Sequence, residues 1–204
     1  MDNELIENYN KYTERFLLFK RFGYDIEKER QVIIEKALPL NGKILEIGTG
    51  KGYLTLQLAQ NGYKFVSIDI SKEEQRFAKM RLRYLGLENY VTFLVSDAGN
   101  TDFSDGEFDV IFSVNLTHHL SQPFNVIDEM IRILSPSGKI VLSDFSEKGF
   151  ALVDNIHKSE GRVHTRSPYA LNEIADYLLK RNFKIEEYRG IFQDTFIATN
   201  KQIR

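Results

Sequence analysis

No cysteine occurs anywhere in the 204 residues. That absence excludes disulfides, thiolate nucleophiles and zinc–thiolate sites, and it suits a reducing, cytoplasmic compartment. No apolar run approaches the roughly 20 residues that a membrane-spanning helix needs. The opening residues, Met1 to Glu7, lack the basic and then apolar order of a secretion signal. Positive charge is not in excess either. The 27 Lys and Arg face 29 Asp and Glu, a net charge of −2, which disfavours tight binding to a phosphate backbone. The basic run Lys79-Met-Arg81-Leu-Arg83 falls at helical spacing and reads as a solvated face. What is present is an ordinary composition, 42% hydrophobic and 27% charged, long enough for one domain with a real core.

Residues 44 to 52, Ile-Leu-Glu-Ile-Gly-Thr-Gly-Lys-Gly, carry the most information. An apolar strand containing Glu46 runs into glycines at Gly48, Gly50 and Gly52. Glycines let a backbone turn tightly and approach a ligand that a β-carbon would exclude. The next apolar run, Phe65 to Ile68, closes on Asp69, an acid able to accept both hydroxyls of a ribose. Together they describe a pocket for a nucleoside-bearing cofactor. The spacing is not the dinucleotide fingerprint Gly-x-Gly-x-x-Gly, because Tyr53 stands at its third position, and no Gly-Lys-Ser/Thr follows to make a P-loop.

Periodicity orders the rest. An amphipathic helix is expected over residues 4 to 20, and Asp25 is placed to cap a second one that stops near Leu38, before Pro39. Strands are expected at Lys43 to Ile47, Lys64 to Asp69, Val91 to Val95, Phe108 to Val114 and Lys139 to Asp144. Helices fall between them: one after the glycine loop, one opened by a Ser71-x-x-Glu74 capping box, and one started by Ser121 and Pro123. The last carries a stripe of Phe124, Ile127, Ile131 and Leu134. Ser135 to Gly138 read as a turn and residues 146 to 166 as irregular. Ser167-Pro168 opens a further helix that ends near Asn182. Phe183 to Tyr188 and Ile191 to Thr199, joined by too short a link for a parallel crossover, must pair as an antiparallel hairpin. Strands alternating with helices predict a doubly wound α/β sheet, mostly parallel, with both faces covered. Residues 1 to 40 form a helical cap on a single unit over 41 to 204.

These segments, in this order, resemble the class I S-adenosylmethionine-dependent methyltransferases, in particular the methyltransferase-11 or ubiquinone/menaquinone-biosynthesis-like group. The resemblance covers about residues 40 to 200 and implies a Rossmann-like seven-stranded sheet whose last strand is antiparallel. It also implies S-adenosyl-L-methionine as cofactor. Glu46, Gly48, Thr49, Gly50 and Gly52 match the family's first motif. Asp69, with Ile70 beside it, would hold the ribose hydroxyls; Asp97 and Ala98 would sit by the adenine amino group. Asn115 and Leu116, ending Phe-Asp-Val-Ile-Phe-Ser-Val-Asn-Leu, would border the methionine portion. Taken singly, Asp69 and Asp97 could equally be loop caps, and Asp109 reads as structural.

A base for the acceptor belongs near the ends of the fourth and fifth strands, where His119 and His118 are the candidates. Tyr9 and Tyr12 are candidates to shape the acceptor pocket from the cap, with His157 and His164 facing it from beyond the fifth strand. His157-x-x-Glu160-x-x-x-His164 could also offer ligands to a metal, but Gly161 interrupts a shared helix and no zinc motif has that spacing, so none is expected. Asp144 could join the site or cap the following segment. The reading is a methyltransferase of a small-molecule acceptor, monomer or homodimer. Its rivals are an RNA methyltransferase and a non-catalytic cofactor-binding regulator. A nicotinamide oxidoreductase is disfavoured by Tyr53 and the terminal hairpin.

Overall fold

In the computed structural model, which describes residues 3–161, 163 and 166–200, the strands follow the expected alternation. They are β1 (Ile44–Ile47), β2 (Phe65–Asp69), β3 (Val91–Val95), β4 (Phe108–Val114), β5 (Leu134–Phe145), β6 (Phe183–Arg189) and β7 (Gln193–Asn200). They make one sheet in the order β3-β2-β1-β4-β5-β7-β6. The first five are parallel, and β7 runs antiparallel between β5 and β6. Leu45 sits between Val66 and Ile111, and Ile140 between Ile111 and Ala198, so the central register is apolar across the sheet.

Successive strand residues point to opposite faces, and here both faces are covered. Leu45, Ile111 and Leu142 pack under α5 (Pro123–Ile133) and α7 (Leu171–Lys180). Ile44, Val110 and Val141 pack under α2 (Ile26–Lys36) and α3 (Tyr53–Gln60). That is why the central strands read as unbroken apolar runs. The remaining helices are α1 (Asn3–Arg21), which lies against α4 (Lys72–Tyr84), and α6 (Glu147–Ser159). Among the described residues no helix is long and apolar enough to cross a membrane.

Local signals account for most boundaries. Asp25 accepts the Lys28 N–H at 3.2 Å and caps α2, which ends at Lys36, two residues before the expected stop. Pro123 occupies the first turn of α5. Ser71 caps α4 by accepting the Glu74 N–H, but the reciprocal half of a capping box does not form, since the Ser71 N–H donates to Asp69 instead.

Five expectations are corrected. Residues 147 to 159 are helical, not irregular. Ser146 caps them through the Gly149 N–H, Val153 and Ile156 are buried beneath them, and Gly161 follows their end at φ +69°. Gly149 looks like a breaker but sits in the first turn, where a β-carbon would collide with the Phe192 carbonyl. The second correction concerns Ser167-Pro168, where Ser167 forms only a turn and α7 opens at Ala170, whose N–H donates to Glu173. Third, Ser135 to Gly138 bulge out of β5 rather than preceding it, because Leu134 already pairs with Phe108. Fourth, the buried face of α5 is centred on Val126, Ile127, Met130 and Ile133, while Phe124 and Ile131 flank it. Last, Arg81 is 3% exposed instead of solvated. Its guanidinium lies 3.7 Å from the Tyr12 ring centroid and donates to the Lys51 carbonyl.

Candidate active site

The carboxyl ends of β1, β2, β3 and β4 converge, and the three glycines there serve three purposes. Gly48 (φ +87°) and Thr49 both donate their N–H to the Ile68 carbonyl, which folds the loop back over β2. A β-carbon on Gly48 would press on Leu116 at 3.1 Å. Gly50 (φ +46°) faces open space. Gly52 (φ +74°) lets α3 approach α4, for a β-carbon there would lie 2.6 Å from that of Ala78.

Asp69 joins this loop to the next. Its two carboxylate oxygens accept the N–H groups of Gly50 at 2.7 Å and Ser71 at 2.8 Å. Each oxygen retains a second lone pair, so holding the loop does not prevent it from holding a ligand. Asp69 and Ile70 line a cavity of about 110 Å³ with Ile68, Ser96, Asp97, Ala98, Leu116, Leu120 and Val126. Asp97 accepts the Gly99 N–H at 2.8 Å, which shapes the far lip of that cavity.

Gly48 also borders a second cavity of about 260 Å³, so the two adjoin at the glycine loop. Glu46, Thr49 and Gly50 line its floor. Glu46 is 2% exposed, and its carboxylate accepts the Thr55 hydroxyl at 2.7 Å and the Ser67 hydroxyl at 2.6 Å. Burial pushes this carboxyl up to about 7, against the opposing pull of those two hydrogen bonds. Thr49 shares a hydrogen bond with Ser67 at 2.6 Å, so the loop is anchored from beneath by a buried polar network.

At the end of β4, Asn115 takes a left-handed backbone (φ +54°), donating its N–H to the Ser143 carbonyl, and its side-chain oxygen accepts the Gln193 amide at 2.6 Å. A single helical turn, Thr117 to His119, follows. The two histidines in it differ. His118 is buried, and its Nδ1 lies 2.6 Å from Asp144 Oδ1 at the end of β5. Asp144 also accepts the Thr117 hydroxyl and the N–H groups of His118 and Phe145. Burial pushes the Asp144 carboxyl up, but the His118 hydrogen bond and charge, with the Thr117 hydroxyl, hold it below its ordinary value. His119 is exposed at the cavity mouth, its ring centroid 4.0 Å from that of His118.

The roof of the larger cavity comes from α1, the start of α2, and α6. Phe19, Tyr24, Ile26, Val153 and Ile156 form one apolar cluster there. His157 lines the cavity from α6, 3.5 Å from Arg15 Nη2, and Arg15 pairs with Glu160 at 2.5 Å. His164 lies outside the described residues. Tyr9 and Tyr12 do not line either cavity. Tyr9 stacks on Tyr84 at 4.4 Å, and Tyr12 packs on Arg81 and donates to Glu27 at 3.3 Å. Both seat α1 on α4, and Tyr12 also lies 5.5 Å from the ring of Tyr53. Tyr24 and Tyr53 occupy the cavity wall instead.

Sequence reading passed over Arg15, Arg30 and Gln193 and, among the aromatic residues of the first 24, preferred Tyr9 and Tyr12 to Tyr24. Only Arg30 left a local sign: it shares the buried face of α2 with Ile26, Ile33 and Ile34, where a charge is out of place.

Comparison with known proteins agrees with this geometry. A family model described as a methyltransferase domain (Methyltransf_11) matches residues 45–142. The norajmaline N-methyltransferase of Rauvolfia serpentina is 32% identical over 109 residues, 53% of this chain and 37% of that protein. The 27-O-demethylrifamycin SV methyltransferase of Amycolatopsis mediterranei is 31% identical over 111 residues, 53% of this chain and 41% of its own length. The chain thus spans about two fifths of these relatives. The solved structure of a SAM-dependent methyltransferase from Aquifex aeolicus superposes with a TM-score of 0.64 at 24% identity, covering 86% of this chain and 89% of that one, and so shares its fold. The matched domain, the strand order and the glycine loop make this chain similar to the class I S-adenosylmethionine-dependent methyltransferases.

Proposed function

We propose that the protein transfers a methyl group from S-adenosyl-L-methionine to a small-molecule acceptor, in a cytoplasmic setting, with residues 1 to 40 serving as a cap on the unit over 41 to 204. The observation that carries this reading is the pair of adjoining cavities at the sheet ends, joined at Gly48. The smaller one suits an adenosine. Asp69 would take the ribose hydroxyls with its remaining lone pairs, and Asp97 and Ala98 would flank the base. Gly50, with open space where a β-carbon would stand, leaves room for the bound group to lie on the loop. Asn115, Leu116, Glu46, Thr49 and Gly52 complete the cradle, directly or by supporting it. When bound, the cofactor supplies a methyl group on a sulfonium, already activated toward displacement.

The chain's own task is then to orient the acceptor, exclude water and take a proton from it where the acceptor has one to lose. His118 fits the last role better than His119. With Nδ1–H donating to the Asp144 carboxylate, Nε2 is left as the basic nitrogen, and Asp144 stabilises the imidazolium that forms. His119 and His157 then border the acceptor's path.

Calorimetry with S-adenosylhomocysteine tests the pocket. Asp69→Ala and Gly50→Val should each weaken binding by about tenfold or more; unchanged affinity in both would refute it. A screen of metabolite extract with methyl-labelled cofactor should yield a labelled small molecule, and label appearing only in RNA would overturn the acceptor class.

A further inference from the structure

Asn115 ends β4 with its backbone fixed: φ is +54°, and its N–H donates to the Ser143 carbonyl at 2.8 Å. It is half-buried and lines the larger cavity. Its side-chain amide still has two settings. Turned by 180° it fills the same space and exchanges a carbonyl acceptor for an NH2 donor. Its neighbours decide which of the two the cavity meets.

Those neighbours leave one choice. Ser143, buried on β5, lies 2.7 Å from the Asp194 carbonyl, which can only accept, so the Ser143 hydroxyl commits its one hydrogen there. Its oxygen then accepts, from Thr195 at 2.8 Å and from Gln193 at 3.0 Å, which turns the Nε2 end of Gln193 toward it. The same Nε2 lies 2.6 Å from Asn115 Oδ1, a distance at which two NH2 groups could not meet.

The far end of Gln193 agrees. Its Oε1 accepts the Tyr24 hydroxyl at 3.0 Å, and Arg30 Nη1, which can only donate, takes a lone pair of that hydroxyl at 3.0 Å. Burial pushes the Tyr24 hydroxyl up, against the charge and hydrogen bond of Arg30 and a smaller hydrogen bond from Asn115. Asn115 thus offers Tyr24 a hydrogen, as it must if its oxygen is held by Gln193. Gln193 is 4% exposed and Tyr24 1%, so solvent has little part in the arrangement.

We infer that Gln193 is a positioning residue: it grips the Asn115 amide by its oxygen, so that the larger cavity meets an N–H donor there and not a carbonyl. The inference rests on the proposed cofactor reading only in taking the cofactor as the ligand that Asn115 meets.

Titrations with S-adenosylhomocysteine at pH 8, with thermal melts to confirm folding, separate this role from packing. Gln193→Met, which removes the grip, should weaken binding by about threefold. Gln193→Glu keeps the shape but as a carboxylate can only accept; it turns Asn115 around and should weaken binding by about tenfold or more. In an Asn115→Ala background the Gln193→Glu change should cost less than about twofold, because no amide remains to turn. A Gln193→Glu variant milder than Gln193→Met, or equal losses in both backgrounds, overturns the inference. The free protein gives a reading that needs no ligand. By NMR, both Gln193 Nε2 hydrogens should exchange slowly with solvent and one Asn115 Nδ2 hydrogen quickly; the reverse pattern overturns the inference even if no variant folds. Failure of wild type to bind S-adenosylhomocysteine would sink the cofactor reading instead, and that exchange pattern would judge Gln193 by itself.

Discussion

At the residue scale, the site sets two buried acids to different uses. Asp144 is held as an anion by four donors, and it in turn fixes the His118 ring. Removing either member should slow methyl transfer by about a hundredfold or more, the usual worth of a positioned base. Asp144→Asn and His118→Gln should leave S-adenosylhomocysteine affinity within twofold, and His119→Ala should do much less to turnover. Equal losses at His118 and His119 would remove the distinction drawn between them. Glu46 is the opposite case, because its folded-state carboxyl titrates near 7 and so binds its proton more tightly than the unfolded chain does, from an ordinary value of 4.5. Its contribution is most favourable below 4.5 and is lost as pH rises through about 7, at most about 3 kcal/mol. Urea unfolding of Glu46→Gln should therefore show a flatter fall in stability than wild type over that interval. Parallel curves would show that Glu46 ionises freely in the fold.

At the element scale, short-range geometry sets where helices begin. Gly52 combines a left-handed backbone with a close approach of α3 to α4. Gly52→Ala should cost about 2 kcal/mol or more, from backbone strain and the clash with Ala78 together. Ser146→Ala should cost about 1 kcal/mol through loss of the α6 cap. Denaturant midpoints at unchanged slope measure both. An undiminished midpoint for Gly52→Ala would mean that the loop has another way to pass α4. Helix α6 itself shows why residues 146 to 166 misread as irregular. Gly149 and Gly161 flank the apolar positions Val153 and Ile156, and glycine normally weakens a helix. Here Gly149 is required by the Phe192 carbonyl, a neighbour 43 residues further along that no local window contains.

At the scale of the whole molecule, the sheet offers the floor of the cleft, and helices from distant parts of the chain make its roof. Phe19, Tyr24 and Ile26 meet Val153 and Ile156 across more than a hundred residues of sequence. The roofed cavity, about 260 Å³, is slightly below the ~300–1,000 Å³ common for small-ligand sites. A ligand that fills it contacts both roof elements and couples them to the floor. Hydrogen exchange in the presence of S-adenosylhomocysteine should slow in α1 and α6 and stay unchanged in α7, which lies on the other face and lines neither cavity. Protection confined to the glycine loop would show that the roof takes no part in binding.

The doubly wound alternation, the strand limits from β2 to β4, the glycine loop and the acids Asp69 and Asp97 were legible in sequence, because each rests on terms that act within a few residues: period, capping and the left-handed freedom of glycine. The resemblance in motif order then pointed to the methyltransferase domain whose model matches residues 45–142. Tertiary structure alone set the surroundings of His118 apart from those of His119, by bringing Asp144 up from the next strand. It packed Tyr9 on Tyr84, turned Arg81 inward onto Tyr12, and set Arg30 against Tyr24, which in turn meets Gln193. Those outcomes depend on which helix face meets which sheet end, and packing between distant segments fixes that orientation, while the local pattern specifies only that such a face exists.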